Sequence, residues 1–206
     1  MAIRTAVNRA LTAITALPTA AALVNGNLTL LTTATASSSA TLDFTSSINS
    51  TYNSYLFKFI NIHPASDDVH FQFQTDTGTN TSYNQAVTST SFTSFHFEDN
   101  SAVNLTYNAN LDQAQGTGFQ IIKTGMGNDN DQSVSGSMCL FNPSSTVFVK
   151  HFMSDLHNVE YRNASFEEFK AGYFNTTTAL TRVRFKMSSG NMDSGTIKMY
   201  GVGPKQ

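Results

Sequence analysis

Toward its end the chain alternates. Val183, Phe185 and Met187 fall on one side of an extended backbone while Arg182, Arg184 and Lys186 fall on the other, because strand side chains project to opposite faces in turn. After a turn rich in Ser, Gly and Asn, Ile197 and Met199 repeat the pattern against Thr196 and Lys198. The two segments read as a closing antiparallel hairpin over a core, which ties the C-terminus down. The same two-residue period recurs from Thr41 onward. It predicts strands over 40–44, 55–62, 69–75, 91–97, 103–107 and 119–123, then over 134–141, 146–153, 158–161, 169–174, 181–187 and 195–200. Turn residues separate them, as in the runs 63–68, 76–78, 125–130 and 142–145. Many short strands at this spacing indicate a β-sandwich or barrel. Val69, Phe71 and Phe73 should face inward, leaving His70, Gln72 and Gln74 outward.

Two segments depart from clean alternation. "SYLFKFINI" and "STVFVKHFM" carry large residues on both faces, with Val147 and Val149 opposite Phe148 and Phe152. A strand apolar on both sides is covered on both sides, by an overlying loop or a neighbouring subunit. Homo-oligomer contacts are therefore expected, with a trimer favoured for a fibre-like β protein.

The first residues follow another period. Ile3, Val7, Ala10, Ile14 and Leu17 recur at heptad spacing up to Pro18. A helix this short is marginal alone and needs a partner: its own β domain, equivalent helices of a homotrimer, or a larger assembly. Residues 29–40, "TLLTTATASSSA", are uncharged and read as a linker. The expected organisation is an anchoring arm and linker over 1–37, then one β domain over 38–206. The fold class is all-β, a jelly-roll-like antiparallel β-sandwich with a short N-terminal helical or extended arm.

Composition narrows the partners. Of 206 residues, 40% are hydrophobic, enough for a sizeable core, and only 13% are charged, about half the usual share. A net charge of -2 gives no basic field to attract nucleic acid, and the first forty residues offer phosphate only Arg4 and Arg9. Those arginines and the Ala-rich run behind them resemble the start of a signal peptide. Thr12, Thr15, Pro18, Thr19 and Asn25 interrupt the run, so no membrane span of about 20 apolar residues is expected.

Chemistry-bearing patterns are sparse. Cys139 is the sole cysteine, set between Met138 and Leu140, and reads as a small buried hydrophobe rather than a reactive thiol. The five histidines lack zinc-site spacing. His151, Asp155, His157 and Glu160 lie close enough in sequence for a hairpin to join imidazole and carboxylate, although such clusters gather at turns without function. Asp129, Asn130 and Asp131 resemble part of a calcium loop that lacks its bidentate Glu. Asp43, Glu98, Asp99, Glu160, Glu167 and Glu168 show no spacing that favours a catalytic pair, and no Gly-x-Ser-x-Gly occurs. No catalytic residue, metal or cofactor is expected. Tyr83 in "NTSYNQ" and Tyr107 in "LTYNAN" are candidates for stacking against a sugar, with packing at a loop base as the competing reading.

Longer blocks carry a resemblance. "ATLDFTSSINSTYNSYLFKFINIHPASDDVHFQFQ", "DQAQGTGFQ", "GNDNDQSVSG", "NPSSTVFVKHF", "AGYFNTTTALTRVRFKMSSGN" and "GTIKMYG" are similar to a family of virion proteins from marine tailed phages, including those of cyanobacteria and Pelagibacter. The likeness spans roughly Ser38 to Gly201. It implies a non-enzymatic, tail-fibre-like or capsid-attached component at the virion exterior, with other virion proteins as partners and a host-surface glycan or receptor as the alternative contact. It assigns no functional residue.

Overall fold

The structure is a computed structural model that describes residues 28–78 and 80–204. It is all-β among those residues, with thirteen strands: β1 (Leu28–Thr35), β2 (Leu42–Phe44), β3 (Tyr52–Pro64), β4 (Val69–Thr77), β5 (Val87–Phe97), β6 (Val103–Tyr107), β7 (Ala114–Gly116), β8 (Gln120–Met126), β9 (Val134–Phe141), β10 (Lys150–Glu160), β11 (Ala164–Phe174), β12 (Leu180–Met187) and β13 (Met192–Pro204). Every pairing is antiparallel. The residues of the heptad stripe, Ile3 to Leu17, lie outside the described residues.

The pairings build two facing layers. The broad one runs β1-β13-β3-β9-β10-β11-β5, with β6 and β7 end to end along the far edge of β5. The narrow one runs β8-β4-β12-β2. A single pair, Glu160 with Met126, stitches β10 to β8 and nearly closes the whole into a barrel.

Alternation places the core between the layers. Tyr55, Phe57 and Phe59 of β3 point in, as do Phe71 and Phe73 of β4, Val183, Phe185 and Met187 of β12, and Ile197 and Met199 of β13. Phe185 sits at the centre. Its ring centroid lies between 5.3 and 6.1 Å from those of Phe44, Phe57, Phe59, Phe71 and Phe73, within the range where aromatic rings attract beyond their buried area.

Several expectations change. The closing hairpin is not one: β12 pairs with β4 and β2, whereas β13 pairs with β3 and β1. The chain crosses from one layer to the other, and both strands show the core an apolar face from opposite sides. The expected linker over 29–40 supplies most of β1, registered on β13 from Leu28 opposite Val202 to Thr35 opposite Thr196. Gln74, expected outward, is fully buried and donates from Nε2 to the carbonyls of Gln85 at 3.0 Å and Gly118 at 2.9 Å. The strand expected over 146–153 starts at Lys150, leaving Val147 and Phe148 exposed in the preceding loop.

Candidate interaction surface

The outer face of the broad layer is unusually apolar. Cross-strand register lines up Tyr107, Phe92, Phe169, Asp155, Ser137 and Lys58 from β6 to β3. One step along the strands, Thr90, Ala171, Met153, Cys139 and Leu56 form a parallel row. Phe92 stacks on Phe169 at 5.1 Å. Leu56, Phe92, Cys139, Phe141, Met153 and Phe169 share the lining of an open groove of about 470 Å³.

Exposure makes this face unusual. Leu105 is 71% exposed, Val103 65%, Met153 57% and Tyr107 54%. Single surface apolar residues need no explanation, but a contiguous strip of them marks an interaction site. In the loop before β10, Val147 and Phe148 are also held out: Ser145 Oγ accepts from both backbone N–H groups, at 3.1 and 2.9 Å, and Lys150 Nζ donates to the Phe148 carbonyl at 3.0 Å.

The acid–base cluster divides. His151, Asp155 and His157 share the outer face of β10, whereas Glu160 points inward and pairs with Arg162 at 2.8 Å. Glu167, directly opposite His157 on β11, takes the place expected of Glu160. Burial, followed by hydrogen bonding to Asp155 and its charge, raises the Glu167 carboxyl to about 7. His157 Nε2 lies 3.0 Å from Ser165 Oγ, but the Glu167 carboxyl engages Asp155 rather than the imidazole. No carboxylate among the described residues is hydrogen-bonded to the ring as a nucleophile–base–acid relay requires. Among the described residues no group of three or more His, Cys, Asp or Glu is placed to hold a metal ion.

The two tyrosines differ. Tyr83 is 3% exposed, with the Arg184 guanidinium 4.2 Å over its ring and its N–H donated to buried Asp76 at 2.7 Å. It presents no open face to a sugar. Tyr107 stands exposed on β6, its hydroxyl bonded to Asp112. Cys139 is half-buried on the outer face rather than in the core, and burial raises its thiol pKa, the reverse of activation.

Phe92, Met153, Phe141 and Leu105 belong to this face although no motif singles them out. The signal was present: in "SFTSFHF" Phe92 is out of phase with Phe95 and Phe97, so one of the sets must face outward. No protein-family model, curated protein or solved structure matches the chain. The meaning of this face rests on its own chemistry.

Proposed function

We propose that the chain is a non-enzymatic structural protein of a phage virion, a tail-fibre-like or capsid-attached exterior component that assembles through the outer face of its broad layer. The exposed apolar strip from Val103 to Met153 carries the reading, since burying such a strip against a neighbour stabilises an assembly. The first residues, with the stripe Ile3, Val7, Ala10, Ile14 and Leu17, serve as a second anchor on other virion proteins.

The finer fold is a jelly roll. Strands β1, β13, β3 and β9 on one side and β8, β4, β12 and β2 on the other follow the interleaved order of eight strands in two Greek keys. On that reading β5–β7 and β10–β11 are insertions that widen one layer. Jelly rolls serve capsids, lectins and enzymes alike, so the order supports the assembly reading without defining it. The likeness of the sequence blocks to phage virion proteins points the same way.

Purified virions should contain the chain, detectable by mass spectrometry and as density at the particle exterior. Deleting residues 1–36 should abolish incorporation. A chain absent from particles, or one incorporated normally without those residues, overturns the corresponding half of the reading. Exposed Tyr107, in its Asn- and Thr-rich surroundings, favours a second reading in which the module contacts a host glycan or receptor. Purified protein would then block phage adsorption, and failure to do so removes it.

A further inference from the structure

We propose that β6 is an assembly edge that takes a second copy of this chain, the two β6 strands pairing antiparallel about a two-fold axis at Leu105. The inference deepens the assembly reading and rests on it for the biological role of the contact.

Among the described residues β1, β2, β6 and β7 are open edges of the layers, whereas β8, the other end of the narrow layer, is stitched to β10 by the Glu160–Met126 pair and is largely buried. β2 and β7 have three residues each. β1 and β7 carry register shifts against their partners. Shortness and bulges are the devices that blunt an open edge, alongside charge and proline. β6 has none of these: Val103-Asn104-Leu105-Thr106-Tyr107 is regular against β5, exposed at every position, uncharged and free of proline.

The backbone of β6 is poised to pair. Asn108 N–H donates to the Ser91 carbonyl at 2.9 Å and Phe97 N–H to the Ala102 carbonyl at 3.0 Å, bracketing the strand. Bonded pairs alternate in an antiparallel ladder, so Asn104 and Thr106 face β5 while Val103, Leu105 and Tyr107 turn their N–H and C=O outward. Local side chains occupy two of these outward groups. Leu105 N–H donates to Asn104 Oδ1 at 2.9 Å, and the Tyr107 carbonyl accepts from Thr106 Oγ1 at 3.2 Å. A rotamer change in each frees the groups for a partner strand.

The segment also suits itself. With Leu105 opposite Leu105, Val103 meets Tyr107 and Asn104 meets Thr106, so no like charges oppose each other. A five-residue edge buries less than the ~800 Å² per partner of a standard interface. The pairing is therefore a micromolar contact by itself, strengthened when many copies are held close.

Sedimentation equilibrium of the full chain tests this. The wild type should reach twice the mass of one chain by about 100 μM. Leu105→Pro removes an N–H that β5 does not use, which an edge strand tolerates, and should weaken the dimer at least ten-fold with an unchanged circular dichroism spectrum. Leu105→Lys serves if that variant fails to fold; it places two ammonium groups together on the axis, and its weakening should lessen at high salt. Leu30→Lys, on the β1 edge, should leave the dimer intact. A monomer at that concentration, a mass of three chains, or a dimer indifferent to both Leu105 variants overturns the pairing. A β6 dimer absent from virions would instead sink the virion reading alone, and a monomer found in virions would sink the pairing alone.

Discussion

Between β3 and β12 the two layers meet through rings; between β11 and β8 they meet through charges. The first region closes around Phe185 and five neighbouring phenylalanines. In the second, Lys123, Glu168 and Lys170 are all at most 2% exposed. Each lysine comes within 3.4 Å of the one carboxylate. Lys170 also donates to Ser91 Oγ, and Thr124 N–H donates to Glu168 Oε2 at 2.6 Å. Lys123 Nζ reaches Glu168 without hydrogen-bond geometry and lies 4.2 Å over the Phe166 ring. The contrast is one of tolerance. A ring core loses area by degrees, whereas a buried triad of two cations and one anion depends on a single group.

Glu168→Ala should show that dependence most strongly. It strands two ammonium groups in the interior and should cost about 3 to 5 kcal/mol of unfolding free energy, read by urea denaturation. Phe185→Leu removes fewer buried atoms and keeps an apolar filler, so about 1 to 2 kcal/mol is expected. A larger loss for the leucine variant than for the alanine variant would reverse the comparison.

Lys123→Met sharpens it within the charged region. Burial, opposed by the Glu168 charge, lowers the Lys123 ammonium to about 8 in the folded protein against 10.5 for an ordinary lysine. Between those values the unfolded chain holds the extra proton, so the contribution of Lys123 to stability rises with pH; below 8 its cost is fully present. The methionine variant leaves Glu168 paired with Lys170 and should match or exceed the wild type at pH 7. Its advantage should shrink from pH 8 to 10.5. Equal pH profiles for the two proteins would show that Lys123 is not desolvated.

The same contrast explains what was legible in the sequence. The ring region was readable because alternation reports burial directly: Val69, Phe71, Phe73, Val183 and Phe185 all point where a two-residue period puts them. The charged region was not. In "SFEEFKAGYF" the inward positions of β11 include Glu168 and Lys170, and pattern reading assigns charges to solvent. Nothing local reveals that Lys123, on a strand far along the chain, supplies a second cation. The β12–β13 crossing was hidden for a different reason, since alternation fixes which face is buried but not which strand lies alongside. Of the interaction surface, the sequence singles out Tyr107 by its Asn- and Thr-rich surroundings but not Phe92, Met153 or Phe141, because a strand apolar on both faces looks the same whether loop, subunit or water covers the second.

The smallest expected effect lies at the seam between the charged interior and the apolar outer face. Glu167 stands on the outward side of β11 while its neighbours Glu168 and Phe166 face in. Its carboxyl rises to about 7, first through burial and then through the hydrogen bond and charge of Asp155; the Lys123 charge opposes this. A raised acid binds its proton more tightly in the folded state, so between about pH 4.5 and 7 the folded chain holds more protons and stability falls as pH rises. Glu167→Gln removes the titration while keeping a group that can hydrogen-bond Asp155. Its melting temperature should exceed that of the wild type at pH 8, and the gap should narrow as pH falls to 4.5 and close about one unit below it, where Glu167 is protonated in both states. The site is only partly buried, and solvent screens it, so a shift of a few degrees at most is expected. A constant gap across that range would mean that Glu167 acts through packing and that the two carboxylates do not share a proton.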